Sequence, residues 1–192
     1  RDLDALAREA RFRADLLPRR SERLFAGVEV EVDRNGRLNL LDRDRNGWDV
    51  ILGAVHWLPA TAGERTRDEM AREFMVVTEQ LVSQGIHVLA HPLRLFYQKK
   101  LPEPEHLYRP LARLLKAHGV AAEINYHINR TPREFFEACL DEGVALAVGS
   151  DGHTLSEACD LQPHGDLLRS LNVPPERVFV PIRAASGASD GR

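Results

Sequence analysis

Cysteine is almost missing from this 192-residue chain: Cys139 and Cys159 are the only two, and their spacing fits neither a zinc nor a redox motif. A disulfide-built scaffold is thereby excluded, and reduced thiols in a cytoplasmic protein are the expectation. No apolar run approaches the ~18 residues of a membrane-crossing helix, so no membrane partner is expected. Nor is charge of one sign in surplus. The 26 Lys+Arg against 29 Asp+Glu give a formal net charge of -3, which argues against a dedicated nucleic-acid binder and leaves room only for a local basic patch. Aromatic residues make up 6%, few for a groove on which bases stack. Internal repeats and interdomain linkers are missing as well, so residues 1–183 are expected to form one domain, with the small, polar 184–192 as a disordered tail. Histidine, of which the chain has 8, does not occur before His56.

What is present is a regular alternation of short apolar runs and amphipathic stretches. Leu3, Leu6, Ala10 and Leu17 fall on one helical face, and Pro18 is a stop. Residues 24–32 read as a strand in which alternation puts Glu29 and Glu31 on the face of Gly27, opposite Val28, Val30 and Val32. A turn at 33–36 and a return strand over 37–41 follow. The run 48–55 is a second strand, ending on His56 and Trp57. Thr66 with Glu69 is a capping box, with Met70, Phe74, Val77 and Leu81 marking the helix behind it and Gly85 closing it. Residues 86–90 form a strand ending on His91. A helix around Leu107, Leu111, Leu114 and Leu115 is closed by Gly119, and 120–124 form a strand ending near Glu123 and Asn125. Thr131 and Pro132 open a helix carrying Phe135, Phe136, Cys139 and Leu140. A helix over 164–171 and a short strand over 177–180 complete the pattern. Such alternation predicts βα units and a parallel sheet or barrel.

The chain is organised around Gly149-Ser150-Asp151-Gly152-His153, which follows the apolar strand 144–148. Thr154 with Glu157 is another capping-box pattern, so a helix is expected to start there. Asp151 and His153 then occupy a loop at the carboxyl end of a buried strand, the rim on which α/β folds place their chemistry. A single histidine at a strand end is more often a hydrogen-bonded rim residue than a ligand, and Glu31, His87, His106, His118 and His164 are left in that role. The joint pattern is different. Parallel strands carry Glu29, His56, His91, Asp151 and His153 to one rim, a carboxylate and imidazole set suited to zinc, manganese or iron, and a carboxylate can bridge two ions. Arg94 and Arg130 flank the same rim and suit phosphate oxygens; Lys99 and Lys100 make a weaker case. Glu123 and Asn125 are placed to orient ligands and water.

Five stretches carry a family resemblance: Gly27-Val28-Glu29-Val30, residues 48–58, Val88-Leu89-Ala90-His91-Pro92, Ala122-Glu123-Ile124-Asn125 and Gly149-Ser150-Asp151-Gly152-His153. In order and spacing they are similar to the successive motifs of the PHP (polymerase and histidinol phosphatase) superfamily, over about residues 24–157. The resemblance implies a distorted (β/α)7 TIM-like barrel with two or three divalent transition metals, and phosphoester hydrolysis by metal-bound hydroxide. It implies Glu29 as a bridging carboxylate that shares a metal with His56 and His91, Asp151 as a ligand of a second metal and His153 of a third, the last two also serving catalysis. His127 receives no role. The stretch Gly53-Ala54-Val55-His56-Trp57-Leu58 leans towards histidinol phosphatases and hence a small phosphomonoester substrate. One departure stands out: PHP proteins open with a His-x-His and further histidines, which this sequence lacks. Only the Glu29, His56, His91 set is then complete, and the non-Met start creates the expectation that the first βα units precede Arg1. A nuclease-type PHP domain of a DNA repair or replication protein, and a non-catalytic PHP-like module, remain as alternatives. Oligomeric state has no signal in the sequence.

Overall fold

A computed structural model describes residues 3–40, 42–45, 47–58, 66–128, 132–158 and 160–182. Arg130, Thr131, Cys159 and the tail lie outside the described residues. Helix α1 (Leu3–Leu16) runs into a 3-10 turn, Leu17–Arg19, at Pro18. The elements that follow are β1 (Gly27–Val30), α2 (Asp42–Arg45), β2 (Val50–Gly53), α3 (Arg67–Val82), β3 (Val88–Leu89), α4 (Arg94–Gln98), α5 (Tyr108–His118), β4 (Ala121–Ile124), α6 (Arg133–Glu142), β5 (Leu146–Val148) and α7 (Gln162–Ser170). The five strands form one parallel sheet in sequence order, β1-β2-β3-β4-β5. Parallel neighbours require crossover connections, which the intervening helices supply.

The register explains how the sheet is used. Gly27 pairs with Val50, Val30 with Gly53, Gly53 with Leu89 and Leu89 with Ala122. One face of the sheet, carrying Val30, Ile51, Leu89, Ala122, Ile124 and Leu146, packs against Phe74 and Leu81 of α3, Leu111 and Leu115 of α5 and Phe135 and Phe136 of α6. Phe74 meets Phe96 edge-on at 5.3 Å, and a fully buried side chain of this size contributes about 1.5–3 kcal/mol. The other face is thinly apolar, with Val50, Val88, Ala121 and Ala147 as its small core. On it the row Glu29–Leu52–Val88–Ala121 and the pair Glu123–Ala147 are in register. Both carboxylates therefore stand on the face away from the main core.

Local chemistry sets the boundaries. Thr66 caps α3 through a complete capping box with Glu69, and α5 and α6 both end on a left-handed glycine, Gly119 and Gly143. Three sequence expectations are corrected. No helix starts at Thr154: the Glu157 carboxylate accepts from the backbone N–H of His153 and Thr154 at 2.8 and 3.2 Å, but the segment is a turn and α7 begins only at Gln162. Leu155 is 96% exposed, so the capped turn has no apolar face to bury and does not propagate. The return strand over 37–41 reduces to one bridge between Val32 and Leu38, and the strand over 177–180 to one parallel bridge between Val178 and Leu146. In the latter, Pro175–Arg177 is a 3-10 turn, which leaves little extended chain to pair. Among the described residues no helix is long and apolar enough to cross a membrane.

Candidate active site

The rim at the carboxyl ends of the strands collects two groups of side chains. Glu29 comes from β1, His56 from the loop after β2 and His91 from the loop after β3. One ligand atom of each lies within 4.8 Å of the others. Glu29 Oε1 is 3.8 Å from His56 Nε2 and Glu29 Oε2 is 3.5 Å from His91 Nε2; the two rings lie 4.8 Å apart. His56 Nδ1 sits 2.6 Å from Glu31 Oε1; the carboxylate accepts, so Nδ1 carries a proton and Nε2 is the nitrogen turned to Glu29. The side chains of Glu29 and His56 are 42% and 37% exposed, whereas His91 is buried at 2%. Neither ring nitrogen of His91 has a hydrogen-bond partner among the described residues. Buried polar atoms left unpaired are costly, and a cation against Nε2 would relieve that cost. The residues therefore fit a divalent transition metal.

The second group gathers beyond β4 and β5. Asp151 Oδ1 lies 3.5 Å from His153 Nε2, and the His127 and His153 rings stack at 4.6 Å with 13° between planes. One atom each of His127, Asp151 and His153 again falls within 4.8 Å of the others. Asp151 has φ +49° and His91 φ +31°. Left-handed backbone at non-glycine residues persists only where the surroundings over-determine it.

Those surroundings are a buried polar chain between the two groups. Glu123, 5% exposed, accepts through Oε2 from the His91 backbone N–H at 2.7 Å and from Asn125 Nδ2 at 3.1 Å. A Cβ at Gly149 would stand 1.9 Å from Glu123 Oε1, so the carboxylate lies where only glycine leaves room. Arg94, 7% exposed, donates from Nη2 to Asn125 Oδ1 at 2.7 Å and places Nη1 2.8 Å from Asp151 Oδ2. Its fork thus faces inward onto protein groups. Arg130 lies outside the described residues.

Electrostatics follows the geometry. The His91 imidazole, chiefly, and the charge of His56 hold the Glu29 carboxyl below its ordinary range against the effect of burial. The bond to Glu31 raises the His56 pKa, with burial opposing. Burial acts against ionised Asp151, but Arg94 outweighs it together with His91 and His127, and the net direction is down. Burial raises Glu123, and the His91 and Asn125 bonds oppose it. Two members stand outside the five residues that the sequence offers as ligands. Glu31 had a signal, since alternation put it on the face of Glu29. His127 had a fainter one: its N–H donates to Asn125 Oδ1 at 2.9 Å, the local turn that an asparagine two residues earlier favours.

No family profile matches the chain. Among curated proteins it is similar to a probable phosphatase of Syntrophotalea carbinolica, 24% identical over 168 residues that cover 81% of this chain and 64% of that one. It is similar also to the probable phosphatase YcdX of Escherichia coli K12, 24% identical over 165 residues covering 81% and 62%. The chain thus spans less than two thirds of the length of these relatives. The likeness is to phosphatases, at low identity.

Proposed function

We propose that the chain is a PHP-type phosphoesterase domain, with residues 1–183 as one barrel-type unit, that hydrolyses a small phosphomonoester of the histidinol phosphate kind with divalent zinc, manganese or iron. The likeness to proteins named as probable phosphatases supports the reaction class. The single observation that carries the reading is the Glu29, His56, His91 group on the strand-end rim, with a buried histidine whose ring nitrogens make no hydrogen bond among the described residues. Glu29, His56 and His91 would hold one ion, and Asp151 and His153 would serve a further one. A bound divalent metal supplies Lewis-acid charge to the phosphoryl oxygens and lowers the pKa of water towards ~7.

The chain's own residues supply orientation. Glu31 Oε1 accepts a 2.6 Å hydrogen bond from His56 Nδ1–H and so fixes which nitrogen faces Glu29. Glu123 pins the His91 backbone, and Arg94 with Asn125 pins Asp151. Arg94 acts through Asp151 in this reading, and Arg130 stays as the arginine proposed for the phosphate. The exposed sides of Glu29 and His56 leave substrate a way in. The full-length protein, stripped by a chelator and reloaded with manganese or zinc, should hydrolyse histidinol phosphate or a chromogenic phosphomonoester, and His91→Ala should lose at least ~10² of that turnover. A protein that carries metal and hydrolyses no phosphomonoester would overturn the proposal.

A further inference from the structure

We infer that His127, Asp151 and His153 form a second cation site of their own, with His127 as the ligand that completes it. This deepens the metallophosphoesterase reading and rests on it; the family resemblance leaves His127 without a role. The three side chains come from two neighbouring strand ends, and each offers one ligand atom within 4.8 Å of the other two. Two imidazoles and a carboxylate select a borderline divalent ion such as zinc, cobalt, manganese or iron over calcium or magnesium. Three protein ligands in an open setting are the pattern of a site that keeps a position for water or substrate, and the His153 side chain is 69% exposed.

The backbone that carries the ligands is held before any ion arrives: Asn125 Oδ1 accepts the His127 backbone N–H at 2.9 Å and Glu157 Oε2 accepts the His153 backbone N–H at 2.8 Å. Arg94 occupies Asp151 Oδ2 at 2.8 Å and leaves Oδ1 towards His153. That Oδ1–Nε2 separation, 3.5 Å, is too long for a good hydrogen bond, so the pair is not closed on itself. His127 stacks directly on His153, ring centroids 4.6 Å and planes 13° apart, so the two imidazoles already stand side by side. Arg94 also sets the order of affinities. A guanidinium on Asp151 repels an incoming cation, while the Glu29 group has no arginine bonded to any member among the described residues. The second site is therefore the weaker of the two.

Metal-free full-length protein titrated with zinc, read by calorimetry and by elemental analysis after dialysis, tests this. Wild type should bind in two steps. His127→Ala should weaken the second step by at least ~10-fold, the scale of lost ligand support, and leave the first intact; His91→Ala should remove the first. His127→Gln, which keeps a polar side chain on the loop, should behave like His127→Ala, and circular dichroism checks that both variants fold. Unchanged binding of both ions in folded His127→Ala and His127→Gln, or a single ion sensitive to His91→Ala alone, overturns the second site and leaves the phosphoesterase reading standing. A wild-type protein that binds no ion removes both.

Discussion

Gly149 shows how one position without a side chain sustains the rim. Its neighbour is Glu123 Oε1, which a Cβ would approach to 1.9 Å, and the other oxygen of the same carboxylate holds the His91 N–H. Gly149→Ala should displace the carboxylate and leave a buried donor unpaired, costing about 1–3 kcal/mol. Chemical denaturation of the single and double variants checks this. In a Glu123→Ala background the same substitution should cost at least ~0.5 kcal/mol less, and strictly additive costs would show that the clash is relieved elsewhere. This arrangement was not legible in the sequence. Glycine after an apolar strand reads as turn chemistry, and nothing local reveals a carboxylate arriving from the adjacent strand. Glu29, His56, His91, Asp151 and His153 were legible as strand-end residues because parallel strands share a rim. The inward turn of Arg94 was not, since an arginine after His-Pro reads equally well as a phosphate clamp, and only the positions of Asn125 and Asp151 fix its direction.

At the scale of elements, legibility tracked how local each determinant is. Capping boxes, glycine stops and apolar periodicity are written within a few residues, and α3, α5 and α6 lie where those signals put them. Strand lengths depend on partners. The runs 24–32 and 86–90 shorten to Gly27–Val30 and Val88–Leu89, because pairing lasts only while a neighbour runs alongside. The two capping motifs make the same point. Thr66 and Glu69 precede Phe74, Val77 and Leu81, which are buried, whereas Thr154 and Glu157 bracket Leu155, which is exposed. A cap fixes where a helix starts only if a buried face carries it on. Thr66→Ala should therefore cost ~1 kcal/mol and lower the melting temperature by ~2–4 °C for a chain of this length. Thr154→Ala should leave the helical circular-dichroism signal unchanged. Equal effects of the two on thermal melting would contradict this account.

The whole molecule is a sheet with one face given to packing and the other to polar groups, and its response to pH follows from how histidines are divided between them. His164 on α7 is buried, at 2% exposure. Its Nε2–H donates to Gly149 O at 3.0 Å, Tyr126 packs edge-on to the ring at 4.8 Å, and Nδ1 has no partner among the described residues. Burial, opposed by that bond, lowers the His164 pKa below its ordinary 6.5. His87 is lowered by burial as well, and its Nδ1 accepts the Ile51 N–H at 2.9 Å, so protonation would displace a sheet contact. Below about pH 6.5 the unfolded chain takes up protons at both rings that the native state refuses. Their contribution to stability must then fall as pH falls from ~6.5, by at most ~1.4 kcal/mol per pH unit for the buried His164 and by less for His87, which is exposed and screened by solvent. Glu123 acts with the opposite sign: its raised pKa favours the native state where the native carboxyl is protonated, and that contribution is lost as pH rises through the raised value. Urea unfolding of metal-free protein at about pH 7.5, 6.5 and 5.5 should show stability dropping across the lower interval. His164→Gln, which can still donate to Gly149 O and does not titrate, should flatten that drop while staying folded. Parallel pH profiles for the variant and the wild type would mean that His164 is protonated as readily in the fold as in the unfolded chain, and the support it gives Gly149, and through Gly149 the Glu123 carboxylate and His91, would have to be independent of its charge.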